Sequence, residues 1–123
     1  MPLDVLIVDD SAAIRKILQR VLKQADLAIG KVIEAGDGNE ALETLKTQKV
    51  GLILSDINMP NMDGLTFLGH LRTSPEWKDV PVIMISTEGS QSQVMEAVQL
   101  GARGFVRKPF TAQQIKEKLV ALV

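Results

Sequence analysis

Three aspartates stand out because they lie at the ends of two short apolar runs. Asp9 and Asp10 follow VLIV at 5–8, and Asp56 ends the segment LILSD at 52–56. Two unit charges about 5 Å apart repel by about 3 kcal/mol at an effective dielectric constant near 20. Three neighbouring carboxylates therefore need a counter-charge or shifted pKa values. Because all the candidate ligands are oxygens, with no cysteine or nearby histidine, the pattern favours Mg²⁺ over zinc.

A hydroxyl and an ammonium group follow two later apolar runs. Ser86 ends the run at 82–85, and Lys108 with Pro109 follows the run at 105–106. Lys108 can neutralise a phosphoryl oxygen as a point charge, and Ser86 can donate one hydrogen bond to it. An X–Pro bond can be cis, which would aim the lysine into a crevice. The alternatives are a surface lysine, a helix-capping serine, and an acidic pair in which Asp10 only caps a helix.

The elements that must position these residues follow from hydrophobic patterning. Apolar runs without alternation are typical of parallel strands that are covered on both faces. Here they recur at 5–8, 32–33, 52–54, 82–85 and 105–106. Helical patterns between them start and stop at typical capping residues. They are predicted to follow Ser11, Asp37 and Asp63-Gly64, to run near 90–100 and stop at Gly101, and to begin at Thr111.

Alternating strands and helices predict an α/β domain with a parallel sheet. In such a sheet the carboxyl ends of the strands share one edge, where open α/β sheets bind their ligands. The aspartates, the serine and the lysine are therefore expected to meet in one crevice. We expect Gly64 to relax the turn that follows Asp63.

Composition narrows the class of protein. The chain has 123 residues, which fits one domain, and its net charge of -1 gives no reason to expect binding to nucleic acid or to an anionic membrane. It has no cysteine, which excludes disulfides and thiolate metal sites. The N-terminal segment MPLDVLIVDD carries acids where a signal peptide carries bases. We therefore expect a cytoplasmic protein without a membrane or nucleic-acid partner.

Four motifs together resemble one family. They are VLIVDDS at 5–11, SDINMPNMDG at 55–64, PVIMISTE at 81–88 and GARGFVRKPF at 101–110. In these motifs, in their order and spacing, the chain resembles the receiver domains of two-component response regulators, most of all the single-domain chemotaxis members. The resemblance implies one receiver domain over residues 1–123. It also implies a doubly wound, flavodoxin-like fold with five helices and a five-stranded parallel sheet in the order 2-1-3-4-5.

The resemblance assigns roles to the residues of the predicted crevice. Asp56 would be the phosphoacceptor. Asp10, Asp56 and the backbone carbonyl of Asn58 would ligate Mg²⁺ directly, and Asp9 would act through water. Lys108 would pair with the acyl phosphate.

Further roles concern switching and the lifetime of the phosphorylated state. Ser86 would hold the hydroxyl that approaches the phosphoryl group, and Phe105 would be the aromatic rotamer switch. Chemotaxis members usually carry tyrosine at that position, so Phe105 lacks a hydroxyl for a partner. Asn58 and Glu88 would tune hydrolysis of the acyl phosphate by guiding water.

The function implied by the resemblance is a phosphorylation-dependent switch in chemotaxis or motility. A sensor histidine kinase would donate the phosphoryl group. The face formed by the fourth helix, fifth strand and fifth helix would then change and bind a downstream protein target. The chain would be a monomer and not an enzyme, although it would assist its own phosphorylation and dephosphorylation.

Three alternatives remain open from the sequence. An aspartyl-phosphate phosphatase of the haloacid dehalogenase type needs a second carboxylate where this chain has Asn58. A flavodoxin-type cofactor module needs a phosphate-binding loop where Asp9 and Asp10 would repel a phosphate. The chain could also be a receiver module cut from a larger regulator or hybrid kinase, although its Met1 start and intact last helix favour a stand-alone protein.

Overall fold

The computed structural model describes residues 3–24, 28–86 and 91–121. Within these ranges five strands alternate with five helices, as the sequence patterns predict. The elements are β1 (Leu3–Val8), α1 (Ala12–Gln24), β2 (Ile29–Ala35), α2 (Gly38–Leu45), β3 (Leu52–Ser55), α3 (Gly64–Thr73), β4 (Val82–Ser86), α4 (Gln91–Gln99), β5 (Gly104–Arg107) and α5 (Ala112–Val120). None of the helices in the described ranges is both long and apolar enough to cross a membrane.

The strands form one sheet in the order β2-β1-β3-β4-β5, and every neighbouring pair is parallel. This order confirms the one implied by the family resemblance. The register places Val8 of β1 beside Ser55 of β3. The residues that follow these two strands, Asp9 and Asp56, therefore leave the sheet at the same level.

Two hydrophobic cores lie on opposite faces of the sheet. Along β1 the side chains alternate between them: Leu6 and Val8 belong to one core, Val5 and Ile7 to the other. The first core is closed mainly by helices α2 and α3, and the second by α1 and α5. Because both faces are covered, the strands need apolar residues on both sides, which explains their lack of alternation.

The helix ends carry the predicted capping residues. The Asp37 side chain accepts a hydrogen bond from the Glu40 amide, and Thr111 forms a capping box with Gln114. At the end of α4, Gly101 has a φ of 88°, a conformation that glycine adopts without steric cost. Its amide donates to the Val98 carbonyl at 2.9 Å. Ser90, where the fourth helix is predicted to begin, lies outside the described ranges.

The amino ends of β4 and β5 are held by one guanidinium group. Arg72, in the last turn of α3, donates four hydrogen bonds to backbone carbonyls. Its Nε reaches the oxygen of Leu100 at 3.0 Å, Nη1 those of Lys78 at 2.7 Å and Val80 at 3.1 Å, and Nη2 that of Gly101 at 3.1 Å. This single side chain therefore fixes the end of α4 against the segment that leads into β4.

Candidate functional site

Three carboxylates meet at the carboxyl edge of the sheet. The amide of Asp56 donates to the Val8 carbonyl at 2.8 Å, so the ends of β1 and β3 are tied together. Carboxylate oxygens of Asp9, Asp10 and Asp56 all lie within 4.8 Å of one another. Asp9 is 2% exposed and Asp56 is 7% exposed, whereas Asp10 faces solvent. The structure thus brings together the acidic residues singled out in the sequence.

An ammonium group bridges two of these carboxylates. The Nζ atom of Lys108 lies 2.7 Å from Oδ2 of Asp9 and 3.3 Å from Oδ2 of Asp56. The Lys108 amide donates to the Ser86 carbonyl at 2.8 Å, which ties the end of β5 to the end of β4. The Lys108–Pro109 peptide bond is cis.

The chain on both sides of Asp9 holds this carboxylate in place. Its Oδ1 accepts from the amide of Ser11 at 2.9 Å, and the Ser11 hydroxyl accepts from the amide of Ile14 at the start of α1. Arg15 donates through Nη1 to the Asp9 carbonyl at 2.5 Å and through Nε to Glu34 at 3.0 Å. Asp9 is therefore fixed by its own turn and by the first turn of α1.

The environment of Asp56 disfavours the ionised form of its carboxyl group. Burial raises the pKa of this carboxyl, the Lys108 ammonium opposes the rise, and the charge of Asp9 adds to it. Oδ1 of Asp56 accepts a hydrogen bond from the Ile57 amide at 2.8 Å, which fixes the orientation of the carboxylate. A cation beside this group would lower its pKa and favour the ionised form.

Gly64 allows α3 to begin directly against the backbone of Asp56. A Cβ atom at this position would lie 2.0 Å from the Asp56 carbonyl oxygen and 2.8 Å from the Cα atom of Ile57. Gly64 does not have a positive φ, so the prediction that it relaxes the turn after Asp63 was wrong. The glycine is needed because of close packing rather than because of its backbone conformation.

The remaining predicted site residues have different surroundings. Ser86 is fully buried at the end of β4. Phe105 is half-buried and packs against the core that contains Met84. Asn58 is exposed in the segment after Asp56, and Glu88 lies outside the described residues. The roles implied for these four residues stay predictions.

The donor set fits a hard divalent cation. Three carboxylates and one ammonium leave two net negative charges at the crevice. All the available side-chain donors are oxygens, as Mg²⁺ prefers. An ion with two positive charges would balance this excess and relieve the repulsion among the carboxylates.

Two residues that brace the site were not singled out in the sequence. Arg15 binds a backbone carbonyl, which no residue pattern reveals. Asn61 has a φ of 68° and donates to Asp37 at 2.8 Å. Its only sequence signal is that asparagine tolerates the left-handed conformation better than most residues.

Comparison with known proteins identifies the family. Residues 5–120 match the response regulator receiver domain. The chain belongs to this family. Receiver domains are signalling switches rather than enzymes of the usual kind. Membership therefore confirms the predicted family and favours a receiver over the phosphatase and the cofactor module.

Similar proteins place this receiver domain among the CheY-like members. It is 42% identical to chemotaxis protein CheY-3 of Vibrio cholerae over 115 residues, which cover 94% of this chain and 87% of the relative. It is 40% identical to chemotaxis protein CheY of Pseudomonas aeruginosa over 115 residues, covering 94% and 91%. The structure of CheY4 of Vibrio cholerae superimposes with a TM-score of 0.88 at 33% identity over the whole of both chains. The CheY-like fold is thus confirmed.

Proposed function

We propose that residues 1–123 form one receiver domain in which Asp56 accepts a phosphoryl group from a sensor histidine kinase. One observation carries this proposal. A nearly buried carboxylate at the carboxyl edge of the sheet lies beside two further carboxylates and 3.3 Å from the Lys108 ammonium. Such a site combines a nucleophile with positive charge placed to meet a phosphoryl group.

Mg²⁺ is the proposed cofactor. Asp10, Asp56 and the backbone carbonyl of Asn58 would hold it directly, and Asp9 would contribute through water. When bound, the ion neutralises negative charge on the transferred group and on the reacting oxygens. The two net negative charges of the crevice support this assignment.

The transfer needs little covalent chemistry from the protein. An oxygen of the Asp56 carboxylate forms a bond to phosphorus while the phosphorus–nitrogen bond of the kinase phosphohistidine breaks. The electron pair of that bond stays on the imidazole nitrogen. The Ile57 amide orients the carboxylate, and Lys108 stabilises the product electrostatically. The chain thus assists its own phosphorylation by positioning and charge.

The added group starts the conformational switch. It carries about 1.5 to 2 negative charges near neutral pH and competes with Asp9 for Lys108, which now bridges Asp9 and Asp56. The Ser86 hydroxyl would move toward the phosphoryl group and make a charge-assisted hydrogen bond. This movement makes room for Phe105 to turn inward. Asn58 and Glu88 would set how fast water removes the phosphoryl group.

The partner would bind to the face formed by α4, β5 and α5. Three apolar residues on these helices are unusually open to solvent: Met95 is 54% exposed, Val98 61% and Val120 49%. Exposed apolar surface often marks a protein-binding site. The two chemotaxis relatives support a role in chemotaxis or motility. We further propose a monomeric cytoplasmic protein whose target is a downstream protein.

Acetyl phosphate and Mg²⁺ test this function without a kinase. The purified chain is expected to gain the mass of one phosphoryl group, which is lost in mild base. Asp56→Asn should gain none, because the nucleophile is absent. Equal labelling of both proteins would contradict the proposal.

A further inference from the structure

The segment 57–63, which carries Asn58 from β3 to α3, is attached to a neighbouring helix. The Asn61 amide donates through Nδ2 to Oδ2 of Asp37 at 2.8 Å. Beside this bond, the side chain of Met62 packs so closely on Gly38 that a Cβ atom there would lie 2.8 Å from the sulfur. The Gly38 amide also donates to the Met62 carbonyl at 3.4 Å. The far part of the segment therefore rests on the start of α2.

Asp37 serves two elements with its two oxygens. Oδ1 accepts from the Glu40 amide at 2.9 Å and caps α2, which leaves Oδ2 for Asn61. Glu40 in turn accepts from the Gly36 amide at 3.0 Å. The acceptor for Asn61 is thus held by the capped start of a helix rather than by a loose side chain.

The segment is also closed at its base. The Gly64 amide donates to the Ile57 carbonyl at 2.7 Å, so the chain returns to the residue that follows Asp56. Between these fixed points, Asn61 occupies the left-handed region with a φ of 68°. A backbone in this conformation has several lower-energy alternatives, so a bond at Asn61 holds the whole segment in one shape.

We propose that the Asp37–Asn61 hydrogen bond is a positioning clamp that presets the segment carrying Asn58 for cation binding. The inference rests on the proposed function, in which the Asn58 carbonyl is a ligand of Mg²⁺. Neither clamp residue touches the ion. Without the clamp, binding must also order the segment, and that ordering weakens affinity. Loss of groups that hydrogen-bond directly to metal ligands typically lowers metal affinity 10- to 100-fold. Because the clamp acts through the backbone between Asn61 and Asn58, we expect the low end of this range.

Two substitutions open the clamp in different ways. Asn61→Gly keeps the left-handed backbone accessible and removes the amide donor. Asp37→Ser keeps a good N-cap and removes the second acceptor oxygen. Each is expected to weaken Mg²⁺ binding about tenfold, measured by calorimetry on the whole chain. The double variant should be no weaker than either single one, because both changes remove the same bond.

A swapped pair provides the rescue. In Asp37→Asn/Asn61→Asp the net charge is unchanged, the new asparagine still caps α2, and its amide can donate to the new aspartate. Aspartate also tolerates the left-handed conformation. Mg²⁺ affinity within about twofold of the wild-type value is expected, since the hydrogen bond is restored with its direction reversed.

Leu45→Val is the matched control. Leu45 is buried at the other end of α2, so this change lowers stability without touching the clamp and should leave Mg²⁺ affinity unchanged. Suppose that the wild type binds Mg²⁺ and is phosphorylated. The clamp alone would then be overturned if Asn61→Gly and Asp37→Ser bound Mg²⁺ as tightly as the wild type. It would also be overturned if Leu45→Val lost as much Mg²⁺ affinity as they do. A wild-type chain that binds no Mg²⁺ would overturn the clamp together with the proposed magnesium site.

Discussion

The two ends of the sheet differ in how far their charged side chains are paired within the protein. At the amino ends of β4 and β5, one guanidinium group, Arg72, meets four backbone carbonyls. At the carboxyl ends, Asp9, Asp10 and Asp56 share one ammonium group, Lys108, which contacts only two of them. The Arg72 guanidinium is thus surrounded by hydrogen-bond acceptors, whereas the three carboxylates carry more negative charge than Lys108 can neutralise.

This difference distinguishes a structural site, around Arg72, from the candidate functional site around Asp56. Burial lowers the pKa of Arg72, yet its carbonyl partners satisfy the donors and hold several chain segments together. Burial raises the pKa of Asp56, and the surplus charge there is left for a cation to balance. Sites that bind ligands are commonly less stable in isolation than the framework around them. Removing the charged group at the amino end should therefore lower stability, whereas removing a carboxylate at the carboxyl end should raise it.

Arg72→Met should have the largest effect. It removes the hydrogen-bond donor from the carbonyls of Lys78, Val80, Leu100 and Gly101. Because these four hydrogen bonds from a charged group are partly exposed, we expect the free energy of unfolding to fall by about 2–4 kcal/mol. Urea unfolding followed by Trp77 fluorescence measures it. Arg72→Lys should recover only part, because an ammonium cannot span the four acceptors. A loss below about 1 kcal/mol in Arg72→Met would contradict the view that Arg72 stabilises the amino ends of β4 and β5.

Gly64→Ala tests how tightly the carboxyl end is packed. The new methyl group meets the Asp56 backbone, so we expect a loss of about 1–3 kcal/mol and slower labelling by acetyl phosphate. Gly69→Ala is the matched control in the same helix, because a Cβ atom there meets no other heavy atom within 4 Å. It should gain about 0.5–1 kcal/mol. Equal changes in the free energy of unfolding for both variants would show that α3 is not closely packed against the Asp56 backbone.

Asp10→Asn probes the surplus charge directly. Removing one carboxylate relieves repulsion, so the free energy of unfolding without Mg²⁺ should rise by about 0.5 kcal/mol, the scale of exposed charge interactions. Mg²⁺ affinity should fall at the same time. Urea unfolding in the presence of a chelator, together with Mg²⁺ calorimetry, gives both quantities. A less stable Mg²⁺-free variant would contradict the view that the carboxyl end holds unbalanced charge.

Among the effects on stability, that of Asp37→Asn should be the smallest, and it should appear as a changed pH dependence in acid. Hydrogen bonds from the Glu40 amide and the Asn61 side chain hold the pKa of Asp37 below its usual value of 3.8. The stability this group contributes is present above the unfolded-state pKa and is lost as the pH falls through the lower folded-state pKa. The variant keeps a helix cap but does not titrate. Its free energy of unfolding should therefore fall less steeply than that of the wild type below about pH 4; parallel curves would refute this.

Most of the fold could be predicted from the sequence, because apolar runs and capping residues are local signals. Asp37, Asp63 and Thr111 begin helices where predicted, and Gly101 ends one. The strand order came from the resemblance, since periodicity says nothing about which strands are neighbours. The convergence of Asp9 and Asp56 followed from the rule that carboxyl ends of parallel strands share an edge.

Contacts between distant segments could not be predicted. The bond from Asn61 to Asp37 joins residues 24 positions apart, and the bonds of Arg72 go to backbone atoms, which are the same in every residue. The need for glycine at position 64 depends on how closely α3 approaches Asp56, a distance that only the packed structure reveals. These features depend on tertiary packing, and single residue types carry no signal for them.

Locating the phosphoryl group tests the central claim most directly. After reaction with acetyl phosphate and Mg²⁺, borohydride reduction converts an aspartyl phosphate to homoserine, which peptide mass spectrometry can place in the chain. We expect homoserine at position 56, with Asp9 and Asp10 unmodified. Homoserine at another aspartate, or a stable phosphate on a hydroxyl such as Ser86, would contradict the assignment of Asp56 as the phosphoacceptor.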